Sequence, residues 1–258
     1  MDVEDVLGDS IGLFGDEQQV DDQIVYGPLV LTTAPKEGKA NTLLADHLFS
    51  PSLLLAERLE RGLIQVAGKS VVELGAGCAL PSLLSTTLSD PPSLVVITDY
   101  PDQTILGNLT QNVERNRDHM SPTCRTHCLG YEWGQDVAGL LQLASTMGTE
   151  HPSGYDIVIL SDLLHFDGSH DVLLSSLVSL LRKLPTSRAY VAAGKYTPTH
   201  VCQHFISAAE KAGIVWEQGE DDPVWRGTLS VRGGGLTKEQ LGSDIVKCIF
   251  RRLRATPI

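Results

Sequence analysis

The residues most able to bind a ligand are two glycines between an apolar run and a helical pattern. In the segment VVELGAGCALP, from Val71 to Pro81, the apolar run leads into Gly75 and Gly77. Glycines at such a turn allow positive φ and let a ligand approach the bare backbone, and the following helix offers unpaired N–H groups. Taken alone, the motif fits a tight turn without a ligand equally well.

An acidic residue after the next apolar run narrows the class of ligand. The run Leu94–Thr98 is followed by Asp99, where a carboxylate can accept hydrogen bonds from both hydroxyls of a ribose. A dinucleotide site has a third glycine, whereas this chain has Leu80 and then Pro81, which disfavours NAD. An adenosine ligand without a diphosphate fits both observations, so S-adenosylmethionine is the predicted cofactor.

A further carboxylate stands directly before the glycines. Glu73 is predicted to lie near the positively charged end of the cofactor and to hold it directly or through water. The alternative is a strand-end carboxylate that pairs with a lysine or a backbone N–H at a buried turn.

The elements that position these residues are short apolar runs that alternate with helical patterns. Predicted strands are Ser70–Leu74, Leu94–Thr98, Thr123–Leu129, Tyr155–Ser161, Arg188–Ala193, Ile214–Gln218 and Asp244–Phe250. A first helix is predicted to begin near residue 51. Further helices are predicted at Leu80–Leu88, Asp102–Arg117, Val137–Met147, Ser169–Leu184 and Pro198–Ala212. The alternation predicts an α/β fold, with one open sheet between two helical layers and the ligand at the carboxyl ends of the first strands.

Composition divides the chain into two parts. Residues 1–40 are polar and acidic and are expected to form a partly mobile N-terminal arm, whereas residues 41–258 are expected to form one domain. Residues 219–243 contain many helix and strand breakers. They predict a long excursion before a last strand that ends in a basic cluster formed by Arg251, Arg252 and Arg254, and this strand is expected to be antiparallel.

Charge and cysteine content restrict the partners and the compartment. A net charge of −12 argues against binding to nucleic acid phosphates or anionic lipid and favours a basic partner. The N-terminus lacks the pattern of a secretory signal, and no stretch of 18 apolar residues predicts a membrane span. Five scattered cysteines are typical of reduced thiols, so a cytoplasmic or nuclear location is expected.

Four blocks together resemble a known family. VVELGAGCALPSLL, VVITDYPDQTILGNLTQNV, GYEWGQD and YDIVILSDLLHFDGSHDVLL are similar in order and spacing to the seven-β-strand lysine and protein N-methyltransferases. They look most like the nicotinamide N-methyltransferase-like branch, which includes an enzyme for the N-terminal amine and a lysine of elongation factor 1-alpha. The resemblance implies a Rossmann-like, seven-stranded, mostly parallel sheet of the class I methyltransferase type.

The resemblance also implies roles for cofactor residues. Gly75 and Gly77 would pass beneath the methionine part of the cofactor, and Asp99 would hold the ribose. Tyr100 would line the adenine side, and Trp133 of the Trp-Gly block would pack near the adenine. For Trp133, the alternative is an ordinary core tryptophan.

The resemblance also implies that the SDLLHF block, Ser161–Phe166, forms the part of the site that faces the methyl acceptor. Ser161, at the end of its strand, is grouped with the cofactor residues. Asp162 would face the acceptor amine, and His165 stands where related enzymes often have Tyr or Phe. As a histidine, it is expected either to titrate in the working range and assist proton loss or to serve as a packed residue.

Three functions remain compatible with these residues. The first is a protein N-methyltransferase that acts on a lysine or an N-terminal amine, with elongation factor 1-alpha as the acceptor that the resemblance suggests. The second is a small-molecule N- or O-methyltransferase, because Phe49 replaces an expected tryptophan and residues 194–243 diverge from the family pattern. The third is a non-catalytic scaffold with the same fold.

A pair of histidines and a pair of asparagines, each at four-residue spacing, are interpreted as structural rather than functional residues. His200 and His204 lack the glutamate of a zinc-protease helix and a third ligand, so no metal site is predicted. Asn108 and Asn112 are expected to brace or cap the helix that follows Asp99 rather than to bind a ligand.

Overall fold

Parallel strands form the centre of the sheet in the computed structural model, which describes residues 23–145, 154–217, 224–233, 242 and 248–255. The strands are β1 (Gln23–Tyr26), β2 (Leu29–Thr32), β3 (Ser70–Leu74), β4 (Leu94–Asp99), β5 (Arg125–Gly130), β6 (Ile157–Ser161), β7 (Arg188–Ala193), β8 (Ile214–Glu217), β9 (Val231–Arg232) and β10 (Ile249–Ala255). The α-helices are α1 (Gly38–Thr42), α2 (Ser50–Glu60), α3 (Leu80–Thr86), α4 (Gln103–Arg115), α5 (Ala138–Ser145), α6 (His170–Leu180) and α7 (Thr199–Lys211).

The order of the strands creates a switch point next to β3. Within the described residues, seven strands pair in the order β5-β4-β3-β6-β7-β10-β8, and the pairs from β5 to β7 are all parallel. The chain therefore moves to one side of β3 through β4 and to the other side through β6. Ligands of open α/β sheets bind in the crevice at such a point. The predicted α/β sheet is confirmed, and β3 and β7 have the predicted bounds.

Both faces of the sheet are covered by helices. Every residue of β3, β4 and β6 is buried, as expected for strands between two layers. One face packs against the hairpin β1–β2, α2, α3 and α4, and the other packs against α5, α6 and α7. None of the helices in the described ranges has both the length and the apolarity needed to cross a bilayer.

The first two strands form a hairpin that belongs to the main core. Ile24, Tyr26, Leu29 and Leu31 are buried, and they pack in the same cluster as the apolar residues of α2 and α3. By sequence, the hairpin falls within residues 1–40, which are predicted to form a partly mobile N-terminal arm. Residues 1–22 of that range are outside the described residues. The boundary at residue 40 stays a prediction.

The last strand differs from its prediction in position. The structure has β10 at Ile249–Ala255 instead of Asp244–Phe250, and residues 244–247 lie outside the described residues. The expected antiparallel pairing is present, with β7 on one side and β8 on the other. The arginines lie within β10 rather than after it because Arg252 and Arg254 pair with Glu217 of β8, at 3.0 and 3.1 Å. A partner so far away in sequence is invisible to a local pattern.

Candidate active site

A cavity opens at the carboxyl ends of β3, β4 and β6. Its walls are the glycine loop after β3, the segments that follow β4, β5 and β6, and the segment from Leu43 to Phe49. Of the residues predicted for the site, eight line this cavity: Gly75, Gly77, Asp99, Tyr100, Trp133, Ser161, Asp162 and His165. Parallel strands end at the same edge of a sheet, so residues distant in sequence converge here.

The glycine loop curls back towards β4. Gly75 and Gly77 both have φ of +57°, in the region that favours glycine. A Cβ on Gly75 would lie 2.8 Å from Leu163 Cδ2 and 3.2 Å from Trp133 Cζ2, so only glycine fits the present packing. Ala76 N donates to Thr98 O, and Gly77 N donates to Asp99 Oδ2, at 3.0 and 2.7 Å. The loop is therefore tied to the end of the neighbouring strand.

Asp99 accepts backbone hydrogen bonds on both of its oxygens. Gly77 N donates to Oδ2 at 2.7 Å, and Tyr100 N donates to Oδ1 at 2.6 Å. Burial raises the pKa of Asp99 to about 6, although these two hydrogen bonds oppose the shift. Each carboxylate oxygen has a further lone pair, so the group can still accept hydrogen bonds from a ligand in the cavity.

Glu73 lies beneath the cavity rather than in its wall. It is fully buried, and its Oε2 accepts a hydrogen bond from Ser82 N in the first turn of α3 at 3.2 Å. Its Oε1 has no hydrogen-bond partner among the described residues. Burial raises the pKa of Glu73 to about 8, so the carboxyl is mostly protonated at neutral pH. Its contact with the cofactor, direct or through water, stays a prediction.

Asp162 faces the cavity from the turn after β6. Its backbone adopts a left-handed conformation with φ of +62°. Gly194 N donates to its Oδ1 at 3.1 Å, and the hydroxyl of Tyr196 donates to its Oδ2. A Cβ at position 194 would lie 2.5 Å from the ring of Tyr196, so the glycine allows the ring to fold over the backbone and reach the carboxylate. The carboxylate is thus held from the end of β7.

His165 is uncharged in this environment. Burial lowers the pKa of His165 to about 4, which favours the packed alternative over titration in the working range, and its role in proton loss stays a prediction. Its Nδ1 lies 3.9 Å from Asp162 Oδ2, and neither ring nitrogen has a hydrogen-bond partner of good geometry among the described residues. The ring packs against Phe166 with centroids 3.9 Å apart. Both nitrogens are themselves buried.

Aromatic rings border the cavity on the side of Asp162. The ring of Tyr196 contacts those of Phe49 and His165, with centroids 6.0 and 6.1 Å apart. Phe166 contacts Trp133 at 6.0 Å, which joins this side to the predicted adenine side. Ser161 is also engaged, because its Oγ lies 2.8 Å from Ser52 Oγ of α2.

Two residues at this side escaped the sequence prediction: His47, which lines the cavity, and Tyr196, which contacts the lining residue Asp162. Tyr196 stands in a divergent segment, and the only local signal for it is a glycine two residues earlier at a strand end. His47 lines the cavity, and its Nδ1 lies 2.7 Å from Asp46 Oδ1. A histidine next to an aspartate is too common a pattern to indicate a site.

Known proteins resemble the chain in sequence and in fold. The family model described as lysine methyltransferase matches residues 37–212. A protein N-terminal and lysine N-methyltransferase of Gibberella zeae is 32% identical over 180 residues, covering 67% of this chain and 67% of that protein. The Schizosaccharomyces pombe protein of the same name is 29% identical over 204 residues and covers 76% of each chain. The CcbJ methyltransferase of Streptomyces caelestis superposes with a TM-score of 0.50 at 11% identity, covering 80% of this chain and 90% of that chain.

The burial of Glu73 predicts a pH dependence of stability. Its pKa is about 8 in the folded protein against an ordinary value of 4.5, so the folded state holds a proton that the unfolded state lacks between these values. The free energy of unfolding should therefore fall with rising pH in this window, by ~1.4 kcal/mol per pH unit from this group. Denaturant unfolding between pH 6.5 and 7.5 measures the slope. Glu73→Gln should remove this contribution, and an unchanged slope in the variant would contradict the assignment.

Proposed function

Because the chain belongs to the lysine methyltransferase family, we propose that it transfers a methyl group from S-adenosylmethionine to a primary amine of a protein. The observation that carries the proposal is one cavity with two acidic sides. Asp99 and the glycine loop stand at the end of β3 and β4, and Asp162 stands at the end of β6. The first side suits an adenosine ligand, and the second suits an amine.

The residues of the first side fit the cofactor. Gly75 and Gly77 leave open backbone beneath the methionine part, and Asp99 has free lone pairs for the ribose hydroxyls. Tyr100 and Trp133 offer aromatic surface for the adenine. When bound, S-adenosylmethionine supplies a methyl group already activated by the sulfonium. The protein therefore needs no nucleophile of its own and has to align the acceptor and exclude water.

Asp99 should make cofactor binding depend on pH. The affinity for S-adenosylmethionine is expected to be constant above pH 7 and to fall below about pH 6, because protonated Asp99 accepts fewer hydrogen bonds. Calorimetric titration across pH 5–8 measures this dependence. Asp99→Ala should bind about 10- to 150-fold more weakly, the range for a hydrogen bond to a charged group.

Glu132 supplies the matched control for Asp99. It also lines the cavity, yet it is exposed, so Glu132→Gln should keep the wild-type affinity. Equal affinity of wild type and Asp99→Ala would remove Asp99 from the cofactor site. Clear binding of NAD by the wild type would overturn the choice of cofactor.

The second side of the cavity favours a positively charged acceptor. Asp162 is the acid on this side, and no lysine or arginine is found among the described residues of the cavity lining. An amine must lose its proton before it can accept a methyl group, and its nitrogen becomes cationic again afterwards. Asp162 can accept a hydrogen bond from the amine and stabilise the charge that develops. His165 is neutral, so it adds no repulsion and can accept a hydrogen bond.

Substitution of Asp162 should separate turnover from cofactor binding. Asp162→Asn is expected to lower kcat by about 10²–10⁴-fold, as for other groups that assist proton loss or stabilise developing charge. The affinity for S-adenosylmethionine should change little, because this carboxylate is assigned to the acceptor. Asp167→Asn, at an exposed acid five residues later, is the control and should behave as wild type. If Asp162→Asn lost binding and turnover together, Asp162 would belong to the cofactor side.

A protein acceptor is supported by the relatives and by charge. The two fungal relatives are named as enzymes for protein N-termini and lysines. A net charge of −12 favours encounter with a basic segment. We therefore propose elongation factor 1-alpha as the acceptor, as the sequence resemblance suggests, and the cytoplasm as the location, consistent with five free cysteines.

Labelling identifies the acceptor directly. The protein, a cytosolic lysate and S-adenosylmethionine with a labelled methyl group should yield label in a band of the size of elongation factor 1-alpha. Peptide mapping should then assign the label to its N-terminal segment. The Asp162→Asn variant is the negative control. Label confined to small molecules would favour the small-molecule alternative, and cofactor binding without any label would favour a scaffold.

A further inference from the structure

Three asparagines of one helix face cover the free edge of the N-terminal hairpin. In the described part of the chain, β2 is an edge strand of the sheet β2-β1-β9. Asn116 binds the backbone of Val30 through both the oxygen and the nitrogen of its side-chain amide. Val30 N donates to Oδ1 and Nδ2 donates to Val30 O, each at 2.8 Å. Asn112 binds the N and O of Thr32 in the same way, at 2.9 and 2.8 Å. The helix thus takes the place of a neighbouring strand, which an exposed edge requires.

Asn112 has a second partner in the glycine loop. Its Nδ2 also donates to Cys78 O at 3.2 Å, and the side chain is fully buried. Cys78 lines the cavity next to Gly77. A side-chain amide has two N–H donors, and here one serves the hairpin and the other serves the loop. The neighbouring Asn108 binds Thr32 alone, with bonds of 2.8 Å to its hydroxyl and carbonyl.

The glycine loop benefits from such support because its last residue, Ala79, has an unfavourable backbone conformation. Gly75, Gly77 and Ala79 all have positive φ, and Ala79 at +63° is not a glycine. Asp99 holds the loop on one side by accepting a hydrogen bond from Gly77 N. Asn112 holds it on the other side by donating to Cys78 O. An unpaired buried carbonyl in this loop would add a further cost.

We propose that Asn112 is a positioning residue for the cofactor loop and that the hairpin β1–β2 holds its amide in place. The cofactor part of this inference rests on the proposed function. The hairpin ends at Thr32, before residues 37–212 that the family model matches, so it is an addition to that region which reaches the site through Asn112. The inference makes the hairpin part of the binding site although it does not line the cavity.

Hydrogen exchange of the ligand-free protein tests the positioning role without the cofactor. In Asn112→Ala, the amides of Gly77 and Ala79 should exchange about tenfold faster than in wild type, because the loop loses the hydrogen bond that holds Cys78 O. Asn108→Ala and Asn116→Ala each remove two other bonds to the hairpin but leave Asn112 bonded to Thr32 and to Cys78 O, so their loop amides should exchange as in wild type. Equal exchange in Asn112→Ala and wild type, or equal acceleration in all three variants, would overturn the proposal.

Binding and kinetics test the consequence for the cofactor. Asn112→Ala should raise the Kd and the KM for S-adenosylmethionine about tenfold and leave kcat and the KM of the acceptor unchanged. The two control variants should lie within about twofold of wild type, even where their Tm is equally lowered. A weakening shared by all three would mean general destabilisation and overturn the proposal.

A second variant covers the event that Asn112→Ala does not fold. Asn112→Asp keeps the shape of the side chain and the oxygen that accepts from Thr32 N but lacks the donors to Thr32 O and Cys78 O, so the same changes are expected. If wild type itself binds no S-adenosylmethionine, the proposed function fails, whereas the exchange experiment still decides the role of Asn112.

Discussion

The parallel pairing of β3, β4 and β6 is the constraint on which the site depends. Strands that run in one direction all end at the same edge of the sheet, and β3 pairs with β4 on one side and with β6 on the other. The residues that follow these strands, Gly75, Tyr100 and Asp162, therefore come together from three separate parts of the chain. The strands can pair in this way because helical layers cover both of their faces.

Burial at this edge shifts the protonation of three groups towards their neutral forms. The pKa is raised to about 8 for Glu73 and to about 6 for Asp99, and it is lowered to about 4 for His165. Backbone N–H groups, rather than lysines or arginines, satisfy the oxygens of Asp99. No lysine or arginine is found among the described residues that line the cavity. Such perturbed groups are more frequent at functional sites than elsewhere.

The two walls of the cavity are held by contacts that differ in kind. On the cofactor side, backbone strain at Ala79 is accompanied by hydrogen bonds to the loop from two neighbouring elements. On the acceptor side, Tyr196 and Gly194 hold the carboxylate of Asp162 from the end of the adjacent strand. Both arrangements preorganise polar groups before a ligand binds, which lowers the cost of ordering them later.

The sequence by itself determined the α/β fold and pointed to Gly75, Gly77 and Asp99, which line the cavity, because burial and period are local properties. The run Ser70–Leu74 reads as a buried strand, and Gly75, Gly77 and Asp99 follow such runs directly. Only the tertiary structure decided the acceptor wall, the braced hairpin and the protonation states. Tyr196 lies 34 residues from Asp162 and Asn112 lies 80 residues from Thr32, so no local pattern joins them. Likewise, the pKa of His165 depends on how deeply its neighbours bury it, which no residue type or spacing reveals.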